Sequence, residues 1–253
     1  MLINSSSYLS KGFSNQNSAA GSGEFVSKLI RPQLKPELKL ELKPITESNA
    51  EEIAHHTTKI FCNHEPITII SNIDEKSFFN IAALPLCLKT AHQNLGVTAY
   101  DKSNGKWVGA LLAEDAFTSG EGFDDPEGKF NTVASLLGVI SEAGEKVIGK
   151  PTKLGEYIHV NMVILNQEYA RLGILTELTE FFQNEHPLGR NARYLYGEIT
   201  NSRSQKTFLK SGWKIGWEMP YAELEQTPSL RILKDPHKFM SVAEKCYFMY
   251  YSH

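Results

Sequence analysis

Residues 157–178, YIHVNMVILNQEYARLGILTEL, constrain the fold of this chain more than any other stretch. The stretch opens with a short apolar run rich in β-branched residues, which predicts a strand buried on both faces. Apolar residues then recur at helical spacing, which predicts an amphipathic helix over residues 173–185. A polar turn, residues 166–169, joins the two. The stretch therefore predicts a strand–loop–helix unit of an α/β domain.

The start of this predicted helix is a candidate anion site. The first-turn N–H groups of a helix have no intrahelical partner, and the helix dipole favours negative charge there. Gly173 falls where the chain turns into the helix. Such a site suits a diphosphate, but the same unit also occurs without any ligand in α/β domains. The stretch alone leaves both interpretations open.

Composition excludes several classes of function. A net charge of -3 over 253 residues provides no basic surplus for neutralising nucleic-acid phosphates. The cysteines, Cys62, Cys87 and Cys246, have neither the spacing of a zinc site nor a CxxC pair, so we expect no metal. No apolar run approaches the ~18 residues of a membrane span, and no signal-peptide core is visible. We therefore predict a cytoplasmic protein without nucleic-acid or membrane partners.

The chain divides into two parts of different composition. Residues 1–36 begin with a Ser-, Asn- and Gly-rich stretch without periodicity, so we expect them to be disordered or extended. Residues 37–253 form the predicted domain, which carries an insertion at residues 114–155. The insertion ends in helical spacing from Phe130 to Val147. That helix could supply an apolar wall of a site, or it could merely cover the sheet.

Local patterns predict the remaining elements. Alternating leucines at 38–42 predict a first strand, and the helix after it should end at Pro66. Residues 74–92 are predicted to be helical, with Pro85 kinking or splitting the helix. Asn104-Gly105 predicts a hairpin between strands at 97–100 and 107–113. Further strands are predicted at 194–199, 213–219 and 246–251, and a short helix that Asn201 or Ser202 caps should end at Gly212.

The predicted fold class is α/β, with helices on both faces of a mixed sheet and antiparallel hairpins near its beginning and end. This order of elements and the central stretch resemble the GNAT superfamily of acetyl-CoA-dependent N-acetyltransferases. The diphosphate loop of that family reads roughly [QR]xxGx[GA], often preceded by Pro-Glu-Tyr. The matching residues here are Glu168, Tyr169 and Gly173, while Ala170 replaces Arg or Gln and Leu175 replaces the small residue.

A second motif strengthens the resemblance. The family pattern NxxAxxLYxKxGF matches the spacing of residues 201–213, NSRSQKTFLKSGW, throughout. Phe208 stands where many members carry a tyrosine that can protonate the departing CoA thiolate. The resemblance therefore implies that another group or water supplies this proton.

Three further features resemble the insect-type arylalkylamine N-acetyltransferases, such as dopamine N-acetyltransferase. Residues 61–67, FCNHEPI, are similar to an EPL segment of that family. The insertion at 114–155 is also similar, as is the tail in which Met219-Pro220-Tyr221 precedes Asp235-Pro236-His237. The resemblance covers residues 37–252. It implies a GNAT-like mixed central sheet that is splayed at the central parallel strands.

The resemblance assigns catalytic roles to three residues. Glu65 matches the general base, but a carboxylate with a pKa of ~4.3 is weak toward an ammonium of pKa ~10, so burial or a water relay is needed. Glu65 could instead only end a helix before proline, and the adjacent His64 could act as the base without a family match. Ser202 and Ser204 match proposed proton partners, although Ser202 could simply cap a helix.

The resemblance also implies a binding mode for acetyl-CoA. The backbone of Val163 and Leu165 would pair with the pantetheine amides like an added strand, and Asn201 would hold the same arm. Arg171, one position late in the motif, could supply the missing cation. The other implied cofactor-binding residues are Ala170, Leu172, Gly173, Ile174, Leu175, Thr176, Phe208 and Lys210.

The sequence therefore predicts an acetyl-CoA-dependent N-acetyltransferase that acts on a small primary amine, with an arylalkylamine favoured. Aromatic residues such as Phe61, Phe78, Phe79 and Phe130 suit an apolar amine but are equally good core residues. A polyamine or amino-acid acetyltransferase is the alternative enzyme. The alternative from another class is a catalytically silent acyl-CoA-binding protein, which the departures at Ala170, Leu175 and Phe208 favour.

Overall fold

The computed structural model describes residues 38–119, 124–226 and 243–253. The predicted disordered or extended segment, residues 1–36, and the tail motif at Asp235 lie outside these residues.

Within the described ranges, seven strands form one mixed sheet in the order β1-β2-β3-β4-β5-β7-β6. Only β4 and β5 pair in parallel within the described residues, whereas the other neighbouring strands are antiparallel. The strands are β1 Leu40–Pro44, β2 Gly96–Asp101, β3 Trp107–Asp115, β4 Tyr157–Leu165, β5 Tyr194–Ile199, β6 Lys214–Pro220 and β7 Lys245–Tyr251. The predicted mixed sheet and hairpins are therefore confirmed.

Helices cover both faces of this sheet, as predicted. The helices are α1 Glu47–His64, α2 Pro66–Ile70, α3 Glu75–Phe78, α4 Leu84–Gln93, α5 Asn131–Ile148, α6 Ile174–Asn184 and α7 Ser202–Lys210. α6 and α7 pack on one face around Leu178, Phe182 and Phe208. α1 to α5 cover the other face in two clusters. Apolar burial on both faces is the main favourable contribution to folding.

Proline positions divide the first helical region. α1 ends at His64, and Pro66 occupies the first position of α2, where a missing N–H costs nothing. The predicted helix over 74–92 extends from residue 75 to residue 93 and is irregular shortly before Pro85. A π-helical turn, Phe79–Ala83, separates α3 from α4, and Pro85 follows at the start of α4.

The central strand departs from its prediction in burial. β4 has the predicted bounds, but it is not buried on both faces along its length, because residues 161–163 and Leu165 are only partly buried. The register with β3 shifts here: Leu112 pairs with Met162 and Ala113 pairs with Val160. Asn161 is therefore the extra residue of a β-bulge, which bends the strand.

The parallel pair opens into a gap, as the resemblance implied. β4 and β5 pair only over Tyr157–His159, although both strands continue beyond that point. The approach just after the last pair is close, because a Cβ at Gly197 would lie 2.8 Å from the carbonyl oxygen of Val160. Beyond Gly197, one edge of β4 has no strand partner among the described residues.

Candidate active site

A cavity of about 1800 Å³ extends through this gap. Its lining includes Val163 and Leu165, which pack toward the α6 face. Its lining also includes His159 and Asn161, which project toward the helices α4 and α5. One continuous space therefore reaches both faces of the sheet.

The end of the cavity on the α6 face is suited to an anion. Gly173 has φ +82° and caps α6, which begins at Ile174 rather than at the predicted residue 173. The backbone N–H groups of residues 171–176 donate to no acceptor in the described part of the chain. Unpaired N–H groups at a helix start, together with the helix dipole, bind phosphate groups.

Arg171 lies in this loop in an unusual backbone conformation. Its φ of +65° falls in the left-handed region, which is sparsely populated by residues other than glycine and asparagine. The exposed basic side chains at this end are Arg171, Arg203, Lys206 and Lys210, all on the cavity lining. None of them has an ion-pair partner among the described residues, so they leave a positive potential beside the unpaired N–H groups.

The structure brings together nearly all of the predicted cofactor-binding residues. The cavity lining includes Val163, Leu165, Ala170, Arg171, Gly173, Ile174, Leu175, Thr176, Asn201, Phe208 and Lys210. Leu172 is the exception, because its side chain packs against the core. Only its backbone N–H could contribute.

α7 contributes the second motif to the same cavity. Asn201 caps the helix, since its Oδ1 accepts the N–H groups of Arg203 and Ser204 at 3.0 Å each. Its NH₂ group remains available to a ligand. Ser202 and Ser204 both line the cavity. Phe208 is 2% exposed and packs edge-on against Trp213. Because phenylalanine carries no hydroxyl, this position of α7 cannot supply a proton.

Glu65 lies at the junction of α1 and α2 and lines the same cavity. Its Oε2 accepts the backbone N–H of Thr68 at 2.7 Å and the Thr68 hydroxyl at 2.8 Å, so Glu65 caps α2. Its Oε1 is buried without a hydrogen-bond partner. Burial raises the pKa of Glu65 above its usual value, against the opposing effect of hydrogen bonds, those from Thr68 foremost. Oε2 thus makes two structural bonds, and Oε1 is the oxygen left for a ligand.

A buried polar network near the gap was missed by the sequence analysis. His159 on β4 lies between two carboxylates: Nε2 is 2.6 Å from Glu198 Oε2 on β5, and Nδ1 is 3.4 Å from Glu114 Oε1 on β3. The ring stacks on Tyr196 with centroids 4.7 Å apart. All four residues lie on the face of the sheet that α1 to α5 cover.

Further side chains complete the network. Lys89 of α4 pairs with Glu114 Oε2 at 2.7 Å, and Ser141 of α5 donates to Glu198 Oε1. Asn161 donates to Glu114 Oε1 at 3.0 Å. The two carboxylates raise the pKa of His159 to about 10 against the desolvation that would lower it. Despite desolvation, His159 and Lys89 lower the pKa of Glu114 to about 2.

The network left a readable signal in the sequence. His159 and Asn161 are polar residues two positions apart in an otherwise apolar strand, so they share one face. Glu198 interrupts an equally apolar strand. A buried polar side chain is costly unless it is paired, which makes such interruptions informative. Among the described residues, no group of His, Cys, Asp and Glu side chains has the arrangement of a metal site.

Comparisons with known proteins bear on the fold. No protein-family model and no curated protein sequence matches the chain. In the part of the chain that the structure describes, no helix has the length and apolar character of a membrane span.

Solved structures match the chain over most of its length. A putative arylalkylamine N-acetyltransferase 7 from the mosquito Aedes aegypti matches with a TM-score of 0.66 and 15% identity, covering 84% of this chain and 87% of that chain. The C-terminal condensation domain of Ebony in complex with β-alanyl-dopamine matches with a TM-score of 0.70 and 16% identity, covering 85% of this chain and 100% of that chain. A polyamine N-acetyltransferase from Drosophila melanogaster matches with a TM-score of 0.55 and 12% identity, covering 85% of this chain and 100% of that chain. These likenesses show that the chain has the GNAT fold.

Proposed function

We propose that this GNAT-fold chain is an acetyl-CoA-dependent N-acetyltransferase that acts on a small primary amine, with an arylalkylamine as the favoured acceptor. One observation carries the proposal: a single cavity joins an unpaired helix N-terminus surrounded by cations to the buried carboxyl group of Glu65. The gap between β4 and β5 connects these two ends. A donor with a diphosphate and a long flexible arm fits one end, and an amine fits the other.

The residues at the α6 end of the cavity fit the donor. The N–H groups of residues 171–176 would hold the diphosphate. Its charge would be neutralised by the basic side chains at this end, Arg171, Arg203, Lys206 and Lys210. Beyond His159, the edge of β4 that faces the gap lacks a strand partner in the part of the chain that the structure describes, and it would pair with the pantetheine amides through Val163 and Leu165. Asn201 would add its free NH₂ group.

The residues at the Glu65 end of the cavity are suited to removing a proton from the acceptor amine. An acceptor amine arrives mainly as an ammonium ion and must lose a proton before its nitrogen can attack the thioester carbonyl. Glu65 would take this proton, and its raised pKa makes it a stronger base than an exposed glutamate. The attack forms the amide C–N bond and breaks the C–S bond. Ser204, Ser202 or water would protonate the thiolate, because Phe208 carries no hydroxyl.

The charges of the lining favour a monoamine over a polyamine. The carboxylates of Glu114 and Glu198 are balanced by Lys89 and by protonated His159, so neither is left to bind a second ammonium group. Glu65 is the carboxyl group in the described lining with an unpartnered oxygen. The walls nearby are apolar and include Phe78, Ile81, Pro85, Phe130, Val133 and Leu137. An aromatic body with one amine suits this surface.

The proposal is tested with the purified chain and a panel of amines. We expect saturating acetyl-CoA to raise the melting temperature by mass action, and we expect tyramine, dopamine or tryptamine to be acetylated faster than spermidine or agmatine. An unmoved melting temperature would overturn the assignment of the donor. Stabilisation by acetyl-CoA without turnover of any amine would favour the silent acyl-CoA-binding alternative, and faster turnover of spermidine would reverse the acceptor preference.

A further inference from the structure

We propose that His159 and Glu198 form a positioning pair that fixes the width of the β4–β5 gap and thereby aligns the thioester with the amine. The inference rests on the proposed function. It assigns a role to two residues that contact each other across the cavity, rather than to a group that exchanges protons with the substrate.

The position of the pair supports this role. Backbone pairing between the two strands ends where His159 faces Tyr196, and Glu198 lies two residues further along β5. The bond of 2.6 Å between Nε2 of His159 and Oε2 of Glu198 therefore continues the connection between the strands beyond their last backbone pair. Gly197, between these β5 residues, permits the close backbone approach to Val160. The two contacts together define where the gap begins.

The pair is held from both sides of the cavity. Ser141 of α5 donates to Glu198, and Glu114 of β3 binds the other nitrogen of His159. Lys89 of α4 then holds Glu114. The network therefore connects five elements around the cavity, and its charged side chains are held by paired contacts in a buried setting. Both nitrogens of His159 are engaged, which is why the residue suits positioning rather than proton transfer to a substrate.

Acyl-chain selectivity reports directly on the width of the gap. If the pair is broken, β4 and β5 can separate, and a wider gap accepts a longer acyl group. We expect Glu198→Gln and His159→Gln to lower kcat with acetyl-CoA by about 10- to 100-fold, the cost of misplacing reacting groups by about 1 Å. We also expect the ratio of kcat/KM for acetyl-CoA over butyryl-CoA to fall about tenfold, with tyramine as the acceptor.

Two further variants distinguish positioning from general stability. Gln183→Leu removes a buried polar contact outside the cavity lining, since Gln183 accepts the indole N–H of Trp213 at 2.7 Å and neither residue lines the cavity. We expect this variant to lower the melting temperature without changing the ratio of kcat/KM for acetyl-CoA over butyryl-CoA. Glu198→Asp keeps the charge but shortens the side chain by one methylene group, so a distance-dependent pair predicts a lower ratio here too. It also provides a second test if Glu198→Gln does not fold.

The outcomes separate this inference from the proposed function. If the wild-type chain neither binds acetyl-CoA nor acetylates an amine, the proposed function fails and the positioning role fails with it. If the wild type is active and the ratio is unchanged in Glu198→Gln and Glu198→Asp, the positioning role alone is overturned. In a double variant, His159→Gln with Glu198→Gln, kcat with acetyl-CoA should fall no further than in the worse single variant, because the two residues act as one unit.

Discussion

The imidazole of His159 lies between the carboxylates of Glu198 and Glu114, at 2.6 Å and 3.4 Å, on three adjacent strands of the sheet. Each of these residues lies on a strand that is mainly apolar. A charge in such a position is tolerated only when it is paired. The pairing occurs where the sheet opens, so the network and the proposed reaction site share one location.

Glu65→Gln should remove the base while preserving size and the ability to accept from Thr68. We expect kcat to fall by about 10²–10⁴-fold, the usual cost of losing a general base. Acetyl-CoA affinity should barely change, since Glu65 is assigned to the amine end. Wild-type activity should rise with pH through the raised pKa of Glu65, and the variant should lack that rise. Steady-state kinetics across pH and calorimetry with acetyl-CoA measure these effects.

His64→Gln is the matched control for this prediction. His64 is adjacent, exposed and on the same cavity lining, but its replacement should leave turnover unchanged. Loss of turnover in His64→Gln with retention in Glu65→Gln would transfer the role of base to His64.

Glu65 should also affect stability in a pH-dependent way. Because its pKa is raised in the folded state, ionisation there costs free energy that the unfolded chain does not pay. Relative to Glu65→Gln, the wild type should therefore lose stability as pH rises from 4.5 through the raised pKa. Urea unfolding of both proteins at pH 4.5 and pH 8 measures the difference. A difference that stays constant with pH would contradict a raised pKa.

Two substitutions in the phosphate loop should act in opposite directions on stability. Gly173→Val places a β-branched residue at φ +82° and should both destabilise the fold and weaken acetyl-CoA binding. Arg171→Gly relieves the left-handed strain at φ +65°, which should stabilise the fold by about 1 kcal/mol, yet it removes a cation and should weaken binding. Thermal unfolding and calorimetry measure both quantities.

Arg171→Lys is the control for the loop. It keeps the charge and the strained backbone, so stability should stay near the wild-type value, and acetyl-CoA affinity should fall less than in Arg171→Gly because only the fork of donors is lost. Unchanged affinity in Gly173→Val and Arg171→Gly alike would show that the diphosphate binds elsewhere.

His159→Gln should destabilise the fold most strongly at mildly acidic pH. The groups that face His159 are Glu198, Glu114, Asn161, Ser119 and Tyr196. Removing one partner of a buried ion pair costs about 3–5 kcal/mol. The pKa of His159 is raised from 6.5 to about 10, so its contribution is complete below pH 6.5 and is lost as pH rises toward 10.

The difference in unfolding free energy between the wild type and His159→Gln should therefore shrink between pH 6 and pH 10. Gln183→Leu, which lacks an ionisable group, should keep a constant difference over this range. Equal pH dependence in the two variants would contradict the raised pKa of His159.

The sequence alone determined most local elements and named residues that lie at both ends of the cavity. Hydrophobic periodicity located β4 with its observed bounds, Pro66 marked the end of α1, and Pro85 marked the start of α4 after the π-helical turn. Asn201 was readable as a cap because capping depends on neighbouring residues. Glu65 and the loop from Ala170 to Thr176 followed from the resemblance to family motifs, and except for Leu172 they line one cavity in the structure. Such features depend on interactions a few residues apart.

Only the tertiary structure decided how distant residues meet. The insertion of β7 between β5 and β6 and the early end of the β4–β5 pairing depend on strand association across the whole chain. His159 and Glu198 are 39 residues apart, and neither carries a local pattern that names its partner. The left-handed backbone of Arg171 also follows from loop closure onto α6 rather than from the preference of arginine. Pairing energies between distant groups arise from burial and geometry, which periodicity along the sequence does not encode.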